Sequence, residues 1–336
     1  MVDSIVKQTY TPHEKIEPEI IVYKNKSDQK IGPDYMLKQD EQYKIVSYTN
    51  NDKAGTGKIT IEGCGIYGGS KTFSFKINKR TFTNVEVSLE SELYTYCGSA
   101  IKPVVTVKDI DGSNEYVLKE NVDYTLKYSN NVHAADMNSK KVPTVIITGK
   151  GNYSGTIKEY FAIEPKDINL EGISAEVKNV LFNQKKADSK IGITTSFTMK
   201  DGKKALKNKT NYKIVKYLNN KAVGEVGRYD SPTIVIEGTG NYCGTRNLEF
   251  RIYQTDISKA VVKVDTQYYT GIEVRPIPTS VTLNVGKETI ALKNKDYKIS
   301  YSNNVKCGKG KLTITGIGTY GGSKTVTFII LPKQIK

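Results

Sequence analysis

The pattern G-x-G-x-Y-x-G occurs four times: GCGIYGG at residues 63–69, GKGNYSG at 149–155, GTGNYCG at 238–244 and GIGTYGG at 316–322. The first glycines lie 86, 89 and 78 residues apart. A motif that returns at a near-constant period marks tandem units, each folding as one piece. Four such units fill the 336 residues, and each is of a size at which one small core is feasible but marginal. Other features return in the same order. A Tyr-Tyr-Asn-Asn signature precedes each loop: YKIVSYTNN from Tyr43, YTLKYSNN from Tyr124, YKIVKYLNN from Tyr212 and YKISYSNN from Tyr297. Earlier still, Tyr96-Cys97-Gly98 leads to Pro103 and Tyr269-Thr270-Gly271 to Pro276, with a looser version at Tyr10-Thr11-Pro12 and Pro18. The third unit, around Phe182-Asn183-Gln184, has drifted furthest. The expected domains are 1–78, 79–165, 166–254 and 255–336.

Alternating apolar residues flank every loop. Ile59/Ile61, Val145/Ile147, Ile234/Ile236 and Leu312/Ile314 precede it; Phe73/Phe75/Ile77, Phe161/Ile163, Leu248/Phe250/Ile252 and Val326/Phe328/Ile330 follow. Period two predicts half-buried strands, so the loop joins two strands as a hairpin. Asp111-Gly112, Asp201-Gly202 and Val285-Gly286 mark further turns. No 3.6-residue periodicity of normal helix length appears. Six or seven short strands per unit predict an all-β sandwich. The two signature tyrosines are four apart in the second and fourth units but five apart in the first and third. An extra residue flips a side chain across the sheet unless a bulge absorbs it. Bulges are therefore predicted within residues 45–47 and 214–216.

The succession Y-T-G, Pro, D-Y-x-x-x-Y-x-N-N, G-x-G-N-Y-x-G and F-x-I resembles the bacterial Ig-like repeats of large surface proteins of Gram-positive gut bacteria. The resemblance covers all four units and is best in the second and fourth. It implies four tandem Ig-like β-sandwich domains in an extended rod, at the bacterial cell surface or secreted. Such repeats serve as stalks, spacers and sometimes adhesive modules, beside leucine-rich repeats, adhesion modules or glycan-active domains, and the fold alone does not fix which. FIILPKQI at residues 328–335 parallels FAIEPKDI, which leads from the second unit into the third, so a further unit is expected and the chain reads as a fragment of a longer array. The linkers at residues 78–80, 164–167 and 253–256 are short, which predicts a semi-rigid, monomeric rod.

Little chemistry stands out. A dinucleotide-type glycine loop needs a helix after it to hold the anion; here a strand follows. GGSKT at residues 68–72 and 321–325 mimics the end of a P-loop, but Ser70 and Ser323 separate the glycine from the lysine. Glycine supplies positive-φ corners and the tyrosine plugs the end of the sandwich. Cys64, Cys97, Cys243 and Cys307 occupy non-equivalent places, whereas a disulfide framework would recur in every unit; free thiols are the main expectation and a bridge between neighbouring units, such as Cys64–Cys97, the lesser one. No C-x-x-C spacing supports structural zinc. His13 and His133 lie in turn-like contexts and do not recur. The segment DIDGSNE at residues 109–115 starts like a calcium loop but lacks the distal glutamate, so a hairpin turn is expected. No catalytic constellation is visible, and no catalytic residue, cofactor or metal is expected. A Lys–Asn isopeptide crosslink, known from some Gram-positive surface domains, stays open, with no pair selected.

The formal charge is +15, from 50 Lys+Arg against 35 Asp+Glu. Lysines occur along every segment and no block of five or six like charges exists, so a solvated surface is expected; contact with a polyanion is the alternative. Nucleic acid and membrane insertion are not expected: runs such as residues 326–331 are too short to span a bilayer, and MVDSIVKQTY has no signal-peptide core. Most of the 23 tyrosines belong to the repeating signatures. Tyr116, Tyr229, Tyr253 and Tyr268 do not, and are the candidate surface contacts, although the absence of Trp lowers the odds of a carbohydrate platform. Two functions follow: a non-enzymatic stalk that presents a terminal module, or an adhesin segment that binds host glycan, mucin or an anionic cell-wall polymer.

Overall fold

The computed structural model describes residues 1–333. The continuation expected at residues 328–335 falls partly outside them: the last strand is Ser323–Leu331, and residues 334–336 are not described. Strands dominate. The helical elements among the described residues are Lys26–Ile31, Gln184–Ala187 and the one-turn 3-10 segment Pro33–Tyr35. The chain divides into two compact units, Met1–Glu164 and Pro165–Lys336, with two repeats in each.

The second repeat shows the plan. Tyr124–Ser129, Thr144–Gly149 and Thr156–Tyr160 form one antiparallel sheet; Val85–Leu89, Val105–Asp111 and Asn114–Val117 form another. Leu93–Thr95 runs parallel to Ala162–Glu164, where the returning strand resumes. Alternate residues of both sheets meet in one core of Val105, Val107, Leu118, Tyr124, Val145, Ile147 and Tyr153, which is the two-layer packing of a β-sandwich. The third repeat has the same pair of sheets, and in the fourth the parallel strand Gln267–Tyr268 joins the main sheet as a fourth member. The apolar positions that flank the loops are the centres of these cores: Ile59, Val145, Ile147, Ile234, Ile236, Leu312 and Ile314 are buried.

The first repeat departs from the plan. Its main sheet has four strands, Gln8–Thr9, Ser70–Asn78, Gly55–Gly63 and Tyr43–Thr49. In place of a second three-stranded sheet it has the helix Lys26–Ile31 and the isolated bridges Val2–Val22 and Tyr23–Met36. Residues 24–34 (KNKSDQKIGPD) lack alternation. Asn25 accepts bonds from the N–H groups of Ser27 and Asp28 at 2.8 and 3.0 Å, which caps a helix start.

Both predicted bulges are present. The register shifts between Ile45 and Ser47, and between Ile214 and Lys216. Tyr43 and Tyr48 consequently pair with Gly63 and Ile59, four residues apart on the neighbouring strand, as Tyr124 and Tyr128 pair with Gly149 and Val145. The extra residue is absorbed and both rings keep one face.

The Asn-Asn signature has a physical cause in every repeat. Its first member takes positive φ: Asn50 at 52°, Asn130 at 57°, Asn219 at 50° and Asn303 at 54°, a conformation asparagine tolerates. Its second member is buried (Asn51, Asn131, Asn220 and Asn304). In each case its backbone carbonyl accepts an N–H from the strand opposite, Ile16, Ile101, Ile193 or Val274, at 2.8 Å. Its side-chain amide donates back to the carbonyls of Ile16, Ile101, Ile193 and Val274 at 3.3, 2.7, 3.0 and 3.0 Å. The reciprocal pair pins the end of the second strand to the segment that carries the recurring proline. The second signature tyrosine completes it, donating its hydroxyl to Pro18, Pro103 or Pro276 at 3.1, 2.8 and 2.8 Å.

Candidate functional site

The motif glycines of the four loops have steric reasons. A Cβ on the leading Gly149 would lie 2.7 Å from the backbone nitrogen of Ser154, and Gly238 meets Cys243 in the same way at 2.6 Å. The middle glycines Gly65, Gly151, Gly240 and Gly318 all have φ between 63° and 66°, where only glycine is unstrained. The loop tyrosine points inward: Tyr153 and Tyr242 are 2% exposed, and Tyr67 and Tyr320 are half-buried. The loop is therefore filled by its own side chain.

The loop also has a partner that local sequence does not show. Residues Arg80–Thr81, Lys166–Asp167 and Thr255–Asp256, at the start of the second, third and fourth repeats, each run parallel to a loop: Arg80 opposite Tyr153, Lys166 opposite Tyr242 and Thr255 opposite Tyr320. The expected hairpin corner is thus also a docking edge for the incoming strand of its own repeat.

A buried polar cluster forms where strand and loop meet. Arg80 Nε lies 2.7 Å from Asp109 Oδ2, and Tyr153 donates its hydroxyl to the same oxygen at 3.1 Å. Asp109 is fully buried and its Oδ1 has no hydrogen-bond partner. Arg80 also approaches Asp111 Oδ1 at 3.5 Å. Burial and then the Asp109 charge push the Tyr153 hydroxyl well above its usual pKa, so it stays protonated. Burial works to lower the Arg80 pKa, but Asp109 and Asp111 outweigh it and the net shift is upward. In the third repeat Lys166 Nζ donates to Asp201 Oδ1 at 2.6 Å and Tyr242 to Asp201 Oδ2 at 3.1 Å. The segment at residues 109–115 is a hairpin with Asp111 opposite Asn114, as expected, yet its first aspartate is a buried counter-ion. In the fourth repeat Leu292 N–H bonds to Val281 O as Leu118 N–H bonds to Val107 O. That correspondence puts buried Leu283 in the place of Asp109, and Thr255 in the place of Arg80. Cation and carboxylate are replaced together, as the cost of an unpaired buried charge requires.

Neighbouring repeats within a unit touch through these loops. In the first unit Tyr10 stacks edge-on against Tyr153 at 5.7 Å, and Ala54 N–H donates to Asn152 Oδ1 at 3.0 Å. In the second, Arg251 donates to the carbonyls of Gly316 and Tyr320 at 3.1 and 2.8 Å while its guanidinium lies over the Tyr253 ring.

The four irregular tyrosines separate into two pairs. Tyr253 is buried, with its ring where a Cβ on Gly321 would stand; the expectation of a surface contact is corrected, because Gly321 leaves a slot for it. Tyr116 lies 5.2 Å from His13 and is half-buried at the same joint of the first unit. Tyr229 and Tyr268 are exposed, at 106% and 55%. His133 is exposed in a turn. Cys64, Cys97, Cys243 and Cys307 are free thiols, so the Cys64–Cys97 bridge does not form. The main recess of the first repeat, about 740 Å³, lies beside the Ile45–Ser47 bulge, with Lys15, Glu17, Glu19 and Gln39 along its wall. No cluster of three metal-ligating side chains occurs among the described residues, and no helix among them is long and apolar enough to cross a membrane.

No protein-family model matches the chain, and no curated protein matches it. Among solved structures it is similar to domains EC3–6 of protocadherin gammaB7 (11% identity, TM-score 0.21, 98% of each chain covered). It is similar also to invasin, a bacterial integrin-binding protein (10% identity, TM-score 0.26, 99% of this chain and 79% of that one). A third likeness is to extracellular cadherin domains 3–6 of protocadherin Gamma B2 (11% identity, TM-score 0.20, both chains covered completely).

Proposed function

We propose that this chain is a non-enzymatic spacer: four Ig-like domains, at residues 1–78, 79–165, 166–254 and 255–336, from a bacterial cell-surface or secreted protein, holding a terminal module away from its anchor. The observation that carries this reading is the near absence of free linker inside each unit. Arg80–Thr81 follows Ser70–Asn78 after one residue, and Thr255–Asp256 follows Ile252–Tyr253 after one residue. Both incoming strands are hydrogen-bonded to a loop as soon as they start. Chain held in this way has little room to hinge. At about 25–30 Å per domain, four domains end to end reach roughly 100–120 Å. Small-angle scattering tests this. A rod of that length has a radius of gyration of roughly 30–35 Å, against about 20 Å for a compact globule of 336 residues. A value near 20 Å refutes the spacer.

A second reading, an adhesin segment, is favoured by Tyr229, which stands fully in solvent at a loop tip. Exposed tyrosines are frequent in recognition surfaces. Retention of the full chain on a glycan array, lost on Tyr229→Ala, supports adhesion; equal retention of both removes the case for this residue.

A further inference from the structure

The net charge is not evenly shared. Met1–Glu164 has 21 Lys+Arg and 21 Asp+Glu, while Pro165–Lys336 has 29 against 14. The whole +15 therefore belongs to the second unit. An asymmetry of this size between two halves of a chain points to an anionic partner for one of them.

The outward face of the main sheet in the fourth repeat shows where that partner fits. Its inward residues, such as Leu312, Ile314, Phe328 and Ile330, are in the core. The nine outward positions of the three antiparallel strands, taken from residues 298–302, 311–315 and 323–327, hold two lysines, seven serines or threonines and no carboxylate. Lys309 extends the same face by one row. Thr313 and Thr325 hydroxyls bond across it at 2.8 Å. Lys298, Lys309 and Lys311 are exposed, and among the described residues none of them forms an ion pair. They lie along roughly 20 Å of strand.

The equivalent faces elsewhere in the chain show what is particular here. At one register position the first repeat pairs Lys44 with Glu62 and the third pairs Lys213 with Glu237, each at 3.0 Å. The fourth repeat has Lys298 opposite Thr315. The second repeat has neither charge at this position, Thr125 facing Thr148, so the fourth is the repeat in which the lysine is kept without the acid, and Lys298 is left unneutralised.

We propose that this face binds a linear anionic polysaccharide. Lysines supply separated point charges for acidic groups along the chain, and the rows of hydroxyls supply donors and acceptors for the sugar. The face has no arginine and no aromatic ring in the grid on which a base could stack, as single-stranded nucleic acid requires. The proposal goes beyond the spacer role and is read by binding rather than by length, so each can fail without the other.

The test uses the full chain on immobilised heparin, polygalacturonate and dextran phosphate, which distinguish sulfate, carboxylate and phosphate, with neutral dextran as control. Binding to at least one anionic polymer, fading as salt rises, and none to dextran, is expected. Thr315→Glu rebuilds the cross-strand pair found in the first and third repeats and so keeps the fold; it weakens binding about fivefold or more, on the scale of one lysine at an anionic surface. Lys298→Thr with Lys309→Thr and Lys311→Thr reduces it by roughly a hundredfold. Glu62→Thr gives the first repeat the same unneutralised lysine and strengthens binding of the whole chain. The proposal is overturned if Thr315→Glu binds like wild type, if a lysine-to-threonine triple at Lys203, Lys204 and Lys207 weakens binding as much, if dextran binds equally, or if duplex DNA displaces the polysaccharides at lower concentration.

Discussion

The exchange of Arg80 and Asp109 for Thr255 and Leu283 between repeats allows the cost of a buried charge to be measured inside one chain. Arg80→Thr leaves Asp109 fully buried, with only the Tyr153 hydroxyl on Oδ2 and nothing on Oδ1. Removing one partner of a buried pair costs about 3–5 kcal/mol. At roughly 4–8 °C per kcal/mol for a domain of this size, the second repeat should melt at least about 12 °C lower. Asp109→Leu is milder, at about 1–3 kcal/mol: Arg80 is 16% exposed and retains Asp111 at 3.5 Å and the Ile110 carbonyl at 3.4 Å. The two changes together reproduce the fourth repeat. Their remaining cost is the lost acceptor of Tyr153, so the double variant should lie within about 2 kcal/mol of wild type, a coupling of about 2 kcal/mol or more. Hydrogen exchange followed on peptides covering Val105–Asp111 and Thr144–Gly149 reads the stability of this repeat in the full chain. A double variant no more stable than Arg80→Thr would refute the reasoning, since it would mean that the carboxylate was never the costly group.

Three further outcomes are expected. Asn131→Ala strips the donor from the Ile101 carbonyl and should cost about 1–3 kcal/mol, whereas Asn130→Gly, at φ 57°, should change stability by less than about 1 kcal/mol; urea titration separates them. Gly149→Ala forces a Cβ to 2.7 Å from backbone and should cost roughly 1–3 kcal/mol, measured by the same titration, with Gly68→Ala, in open space, as the mild control. Burial raises the pKa of Tyr43, Tyr124, Tyr128, Tyr153, Tyr212 and Tyr297 in the folded state. The fold then holds those protons more tightly than the unfolded chain, so this stability is complete below the ordinary tyrosine pKa of about 10 and is lost as pH rises through the raised values. Tyrosinate absorbance should show a late class that appears only with loss of circular dichroism; one smooth titration near pH 10 would contradict it.

What the sequence could reveal depended on the range of the interaction. Bulges at residues 45–47 and 214–216 follow from counting residues between two tyrosines on one strand, and the hairpin at residues 109–115 from its Asp-Gly turn. Both are local, and a second copy of the repeat serves as the ruler. The parallel pairing of Arg80 with Tyr153 spans most of a repeat, and the two-residue strand has no periodicity to announce it. Asp109 read as a turn residue because its neighbours are turn residues; its burial is set by the loop tyrosine and the incoming strand together. Tyr253 looked like a surface residue because its slot is made by Gly321 in the next repeat. The absence of any local block of like charge hid the asymmetry, which is the sum of eight more basic and seven fewer acidic residues in the second unit.

The incoming strand has a consequence for how arrays of this kind can be cut and joined. Lys166 and its acceptor Asp201 lie 35 residues apart, and Lys166 faces a loop tyrosine 76 residues downstream, all on one side of the junction that precedes Pro165. A break placed before Pro165 transfers the whole set. A break a few residues later, after Asp167, would strand Asp201 and Tyr242 without their cation and leave a loop edge open. Duplication or shuffling of repeats therefore succeeds or fails on a window of a few residues, and that window falls where the chain looks most like an unremarkable linker.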